Sequence, residues 1–260
     1  MRKTGITREK IVQTLVNALE PLDYVYACWE SGAVAFNRVD EWSDIDLNAV
    51  VEDNMASETF FAVENSLKAV STVIHELEFT QLPWPGVSQT FYKLKEVSDY
   101  LLIDFAVFEV SSPEKLLEPE IHGNAFFHFN KSDKVKIPIL DKEVFRRKLR
   151  QRFDRLKTRF ELFNVFVQKE INRKNFLEAI DAYHNLTLAM LTEALRIRYY
   201  PVHYDFKLRY VHYELPFDIT ARLSRLYFVK GEEALQDEYR EATKWFREIV
   251  LEIEKEGLLN

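Results

Sequence analysis

The first 135 residues alternate between apolar segments typical of strands and amphipathic segments typical of helices. Thr7 precedes apolar residues at helical spacing, which predicts a first helix that ends at Pro21 and packs on a sheet. Extended segments are predicted at about 24–29, 45–51, 73–82, 89–95 and 100–110, with a short helix at about 33–36 and a longer one from about Ser57. This order predicts an α/β domain.

From Asp141 onward the pattern becomes helical, after an irregular connector at about 111–140. A seam at spacings of four and three predicts a long helix in a bundle: Leu149, Phe153, Leu156, Phe160, Phe163 and Val167. Two more helices are predicted at about 176–199 and 233–256. We therefore predict two domains, with an α/β domain at 1–135 and an all-helical bundle at 136–260.

Composition narrows the class of protein. With 47% hydrophobic and 30% charged residues in 260, the chain is expected to be soluble and globular. A net charge of -7 argues against a protein that coats nucleic acid. The single cysteine, Cys28, is expected in the core of a protein from a reducing compartment. There is no signal core and no run of ~20 apolar residues, so we expect a cytoplasmic protein without a membrane partner, either monomeric or homodimeric.

Acidic residues interrupt two of the predicted strands. Asp44 and Asp46 are two residues apart, so alternation along a strand places their carboxylates on one face. Asp104 is the ionisable residue inside an apolar run, where a lone carboxylate is costly without a cation or hydrogen bonds. Because adjacent carboxylates repel and Mg²⁺ prefers oxygen ligands, we predict that Asp44 and Asp46 form a magnesium site, and that Asp104 has a cation or a hydrogen-bonding partner.

The stretch from Trp29 to Val51 resembles the nucleotidyltransferase signature of the DNA polymerase β superfamily, in which a strand and a Gly-Ser turn precede Ser-Asp-x-Asp. Ser43-Asp44-Ile45-Asp46-Leu47 matches this signature without a gap. The likeness is to small bacterial nucleotidyltransferases that modify aminoglycosides or lincosamides. Gly32 falls on the family glycine, but Ala33 stands where the family has a phosphate-binding serine, and Ser31 is the neighbouring hydroxyl that could replace it.

The resemblance implies a nucleotidyltransferase domain with a mixed sheet, followed by a helical substrate-binding domain. It implies transfer of a nucleoside monophosphate, AMP, from a Mg²⁺-bound triphosphate to a hydroxyl of a small-molecule acceptor, with two Mg²⁺ ions. In this scheme Asp44 and Asp46 hold metal, and Asp104 holds the second ion or takes the acceptor proton. Ser31, Gly32, Ala33 and Ser43 form the phosphate pocket. Glu161 lies nearest the place of the family's glutamate base.

The sequence also allows other interpretations. Ala33 is compatible with a nucleotide-binding module that has lost catalysis, and a third possibility is an antitoxin-like enzyme that adenylylates a protein. A basic cluster at 146–159 is either a solvated helix face or a triphosphate-binding surface. The aromatic segment 199–213 either lines an acceptor pocket or packs between helices. Arg198 and His203 also have the spacing found in HEPN ribonucleases, a short motif that is common by chance.

Overall fold

We describe a computed structural model of the chain over residues 5–79, 82–131 and 134–259. Contacts within the chain divide it into two compact units, Met1–Leu140 and Asp141–Asn260. The predicted architecture, a mixed sheet flanked by helices and followed by a helical region, is confirmed. The assignment of 1–135 and 136–260 as catalytic and substrate-binding domains stays a prediction. None of the described helices is long and apolar enough to cross a bilayer.

The first unit is built on a six-stranded sheet in the order β3-β4-β5-β2-β1-β6. Its strands are β1 (Val25–Glu30), β2 (Ile45–Val51), β3 (Val73–Phe79), β4 (Val87–Leu94), β5 (Ile103–Glu109) and β6 (Phe126–Asn130). The β2–β5 pair is parallel, whereas the other pairs are antiparallel. Its helices are α1 (Arg8–Leu19), α2 (Gly32–Ala35), α3 (Ala56–Val70) and α4 (Pro119–His122).

The two faces of this sheet are covered differently. Apolar side chains of α1 and α3 pack on one face, against alternate residues of β2 and β5 such as Leu47 and Phe105. The opposite face carries a smaller cluster around Trp29, which lies between the rings of Phe108 and Phe127. We call this second face the site face, because Asp46 and Asp104 alternate onto it.

The irregular connector predicted at 111–140 is wrong in part. It contains α4 and the edge strand β6, which pairs with β1 in antiparallel register. The pairing shifts between Cys28 and Trp29, so the apolar alternation along β6 is interrupted by a bulge. A strand of five residues with such an interruption carries a weak periodic signal.

The second unit is all helical, as predicted. Its helices are α5 (Lys142–Phe163), α6 (Val165–Asn172), α7 (Phe176–Ala182), α8 (Ala189–Tyr199), α9 (Val211–Glu214), α10 (Phe217–Tyr227) and α11 (Glu232–Glu256). The helix predicted at 176–199 is α7 and α8 joined by a π-helical turn, Tyr183–Leu188. The predicted seam is buried except at Phe163, because α5 ends there and α6 continues from Val165.

Glu30, at the end of β1, joins three elements of the first unit. It is 5% exposed, forms an ion pair with Arg8 of α1, and its Oε1 lies 3.0 Å from His128 Nε2 of β6. Burial raises the pKa of Glu30, but the hydrogen bond with His128 and the charge of Arg8 outweigh it, so the pKa lies below its ordinary value. Ionised Glu30 therefore stabilises the native state.

We expect the Glu30→Gln variant to have a free energy of unfolding about 1–3 kcal/mol lower at pH 7, because charge-assisted hydrogen bonds are lost. A lowered native pKa contributes stability above the unfolded pKa and loses it as pH falls through the native value. The difference from wild type should therefore shrink below about pH 4. Urea denaturation at several pH values measures it, with exposed Glu52→Gln as the control. A constant difference between pH 3 and pH 7 would contradict this role for the ionised carboxylate.

Candidate active site

Asp46 and Asp104 lie side by side on the site face. They are direct partners in the parallel register of β2 and β5. Their neighbours in sequence, Ile45, Leu47 and Phe105, are fully buried on the opposite face. Directly paired residues of adjacent strands project to the same side, about 5 Å apart at Cα. The sheet thus places two half-buried carboxylates at the same point of neighbouring strands.

The turn after β1 brings the backbone against Asp46. The backbone N–H of Ser31 donates to the Asp46 carbonyl oxygen at 2.9 Å. Gly32 has φ +56°, and a Cβ added there would lie 1.8 Å from Asp46 Oδ2. Glycine is therefore required twice, for its left-handed backbone and for the space that the carboxylate occupies.

Asn48, which the sequence did not single out, lies beside this turn. Its Nδ2 donates to Ser31 Oγ at 2.9 Å, and it shares the site face with Asp46, two residues earlier. The contact fixes the hydroxyl predicted to replace the family serine. A polar residue within an apolar strand, in phase with Asp46, is the signal that identifies it.

The carboxylates of Asp44 and Asp104 are engaged with neighbouring chain segments. Asp44 Oδ1 accepts from the backbone N–H of Leu102 at 3.1 Å, which ties the segment before β2 to the segment before β5. Gln89 of β4 donates its Nε2 proton to Asp104 Oδ1 at 2.7 Å. Gln89 was also missed, because its approach to Asp104 depends on the β4–β5 pairing.

Asp44, Asp46 and Asp104 are not arranged in this structure as three ligands of one metal ion. Within residues 5–79, 82–131 and 134–259, no three His, Cys, Asp or Glu side chains are arranged to hold a metal ion. The donor set nevertheless fits Mg²⁺ chemically, since all three groups are carboxylates and two are adjacent in register. Their assignment as ligands stays a prediction.

The other predicted phosphate-pocket residues have different surroundings. Ser43 Oγ donates to Asp40 Oδ1 at 2.8 Å and accepts from the Asp40 backbone N–H at 2.9 Å, so it closes the loop before β2. Ala33 is half-buried in α2, directly after Gly32, and its methyl group can form no hydrogen bond with phosphate. The pocket assignment of both residues stays a prediction.

Glu161 lies on α5 in the second unit, where it is exposed. Both of its carboxylate oxygens are 3.3 Å from nitrogens of Arg247. The basic cluster on the same helix is partly neutralised, since Arg152 donates to Glu193 at 2.9 Å and Lys157 to Glu254 at 2.8 Å. These contacts show ordinary ion pairing on the surface of the second unit, and the proposed base role of Glu161 stays a prediction.

Part of the aromatic segment packs inside the second unit. His203 is fully buried, its Nδ1 lies 2.9 Å from Glu214 Oε1, and its ring stacks on Phe206. Glu214 also accepts from the buried Arg196 at 2.7 Å. Arg198 instead pairs with Glu256 of α11 at 2.8 Å. Burial of His203 in this network favours a structural explanation of the Arg198 and His203 spacing over the one based on HEPN ribonucleases.

The solved structures that match the chain include two adenyltransferases. An aminoglycoside 6-adenyltransferase from Bacillus subtilis is 14% identical, with a TM-score of 0.35, over 97% of this chain and 98% of that one. A spectinomycin adenyltransferase from Enterococcus faecialis, crystallised with ATP and spectinomycin, is 10% identical, with a TM-score of 0.36, over 95% and 98%. No protein-family model and no curated protein matches the sequence.

Proposed function

We propose that the chain is a nucleotidyltransferase that transfers AMP from Mg²⁺-bound ATP to a hydroxyl group of a small-molecule acceptor. The observation that supports this most directly is the pairing of Asp46 with Asp104, beside a glycine turn pressed against the Asp46 carboxylate. The Ser43-Asp44-Ile45-Asp46-Leu47 motif thus runs into β2, where its second aspartate lies next to a carboxylate of β5.

Each residue of the site has a role in this proposal. The acceptor oxygen forms a bond to the α-phosphorus of ATP, the bond to the bridging oxygen breaks, and pyrophosphate leaves. Asp44 and Asp46 would hold Mg²⁺, which would neutralise the charge that develops on the phosphates, and Asp104 would hold a second ion or take the acceptor proton. Gln89 donates a hydrogen bond to Asp104 and would orient its carboxylate in either role. The Gly32 turn allows the backbone to approach phosphate, and Asn48 holds the Ser31 hydroxyl beside it.

A nucleotide-binding module without catalysis is a second candidate. It is favoured by the contact between Asp44 Oδ1 and the Leu102 amide, which engages one predicted ligand, and by Ala33 at the position of the family serine. Calorimetry with ATP, with and without Mg²⁺, followed by a pyrophosphate-release assay on hydroxylated acceptors, separates the two candidates. Tight Mg²⁺-dependent binding of ATP without release of pyrophosphate in the presence of any acceptor would favour the module. Radiolabel from ATP on a protein would favour the antitoxin-like enzyme.

The Ala33→Ser variant tests the phosphate pocket as a gain of affinity. It restores a hydroxyl beside Gly32, and a hydrogen bond to a charged phosphate group should strengthen ATP binding about tenfold. Titration calorimetry against Mg²⁺-ATP measures this change. Ala62→Ser, on the half-buried side of α3, is the matched control and should bind ATP like the wild type. Equal affinity in both variants would place the phosphates away from this turn.

A further inference from the structure

The site face continues beyond Asp104 as an exposed apolar surface. Asp104 of β5 is the register partner of Phe91 of β4, and Phe91 is the partner of Leu77 of β3. Two residues along each strand, Gln89 of β4 pairs with Phe79 of β3. Paired residues project to one side, so Phe91, Leu77 and Phe79 share the face of the two carboxylates. We call these three residues the apolar strip.

The apolar strip is accessible and lies within reach of one small molecule. Leu77 is 59% exposed and Phe79 is 42% exposed, while the ring of Phe79 meets that of Phe91 edge to face at 5.6 Å. With strands about 5 Å apart and a rise of about 3.3 Å per residue, the strip extends from about 5 to 12 Å from the Cα of Asp104. Ring systems and hydrocarbon faces of that size are common in hydroxylated small molecules.

The acidic residues of β3 lie on the face opposite the strip. Glu76 and Glu78 alternate onto the opposite face, where Glu76 meets Glu64 and Lys68 of α3. In the described parts of β3 and β4, no residue on the site face between His75 and Phe79 or between Gln89 and Lys93 is a carboxylate. A polycationic ligand would therefore form no ion pair with these positions, whereas a ligand with an apolar surface would bury that surface against the strip.

We propose that the apolar strip is the acceptor subsite, and that the acceptor is a neutral molecule whose hydroxyl lies beside an apolar ring. This inference rests on the proposed function and adds the chemical class of the acceptor. Gln89 supports the direction, since it lies in β4 between Asp104 and Phe79 and holds the carboxylate from the side of the strip. The hydroxyl then lies at Asp104 while the ring covers Phe91 and Phe79.

Three named probes test the subsite on the full chain by saturation-transfer NMR titration. They are 4-nitrophenyl β-D-glucoside (neutral, with a ring), methyl β-D-glucoside (neutral, without a ring) and kanamycin (a polycation). We expect the nitrophenyl compound to bind best and to bind about tenfold more weakly to Phe79→Ala. The control Phe61→Ala removes a ring that is 66% exposed on α3 and should leave binding unchanged. Kanamycin should not distinguish Phe79→Ala from the wild type.

Several results would overturn the subsite. Equal binding of the nitrophenyl compound to wild type and Phe79→Ala would do so, and so would its failure to bind the wild type. A wild-type dimer that becomes monomeric in Phe79→Ala, measured by sedimentation, would show that a second copy covers the strip instead. Calorimetry with Mg²⁺-ATP is run on the same samples. If ATP does not bind, the proposed function is contradicted. Binding of the nitrophenyl compound, and its loss in Phe79→Ala, tests the apolar strip independently of that result.

Discussion

The Asp46→Asn variant is expected to lose pyrophosphate release by about 10³-fold or more, with thermal stability close to that of the wild type. Asn has the shape of Asp but not its charge, so it fits against Gly32 and keeps the backbone contact from Ser31. What it removes is one anionic oxygen ligand and half of the carboxylate pair with Asp104. A pyrophosphate-release assay and a thermal melt on the same sample measure both properties.

The matched control is Asp23→Asn, which removes an exposed carboxylate just before the opposite end of β1. It should leave turnover unchanged. Asp104→Asn should reproduce the loss of Asp46→Asn, since the two carboxylates are register partners. If Asp46→Asn retained turnover within a few fold of the wild type, the carboxylate pair would not be the metal site.

The alternation of apolar and polar residues along β2 and β5 is enough to predict much of this site. An acidic residue in an apolar run is conspicuous, and a period of two assigns Asp46 and Asp104 to the face away from α1 and α3. Sequence alone cannot set the register between β2 and β5, because residues 52–102 separate the two strands and the register depends on the whole crossover through α3, β3 and β4. Gln89 could not be assigned for the same reason.

Local sequence was equally limited for contacts that depend on a turn. The hydrogen bond from Asn48 to Ser31 forms because the chain reverses at Gly32, so it joins residues 17 apart.

In the second unit the seam of α5 was visible, since one face carries the apolar residues over several turns. Helix α10 was missed, although its buried residues Thr220, Leu223 and Leu226 follow helical spacing, because it is short and lies next to the aromatic segment. The π-helical turn changes the period within the helix predicted at 176–199, which a fixed spacing of 3.6 does not reveal.

The Gly32→Ala variant should lose both stability and nucleotide binding. Alanine at φ +56° costs about 1–2 kcal/mol from backbone strain alone. Its methyl group would also lie where Asp46 Oδ2 is, at 1.8 Å, so either the carboxylate or the turn must move. Together we expect a loss of about 2–4 kcal/mol in the free energy of unfolding and at least about tenfold weaker binding of Mg²⁺-ATP.

Gly231→Ala separates strain from collision. Gly231 also has a positive φ, +91°, but a Cβ there would meet nothing within 4 Å. This control should lose about 1–2 kcal/mol of stability and bind Mg²⁺-ATP like the wild type. Denaturation and calorimetry on both variants make the comparison, and ATP affinity is the decisive quantity because both variants carry strain. If Gly32→Ala bound ATP as tightly as Gly231→Ala, the turn would be a structural feature of the sheet, and the approach of Asp46 to its backbone would have no part in holding phosphate.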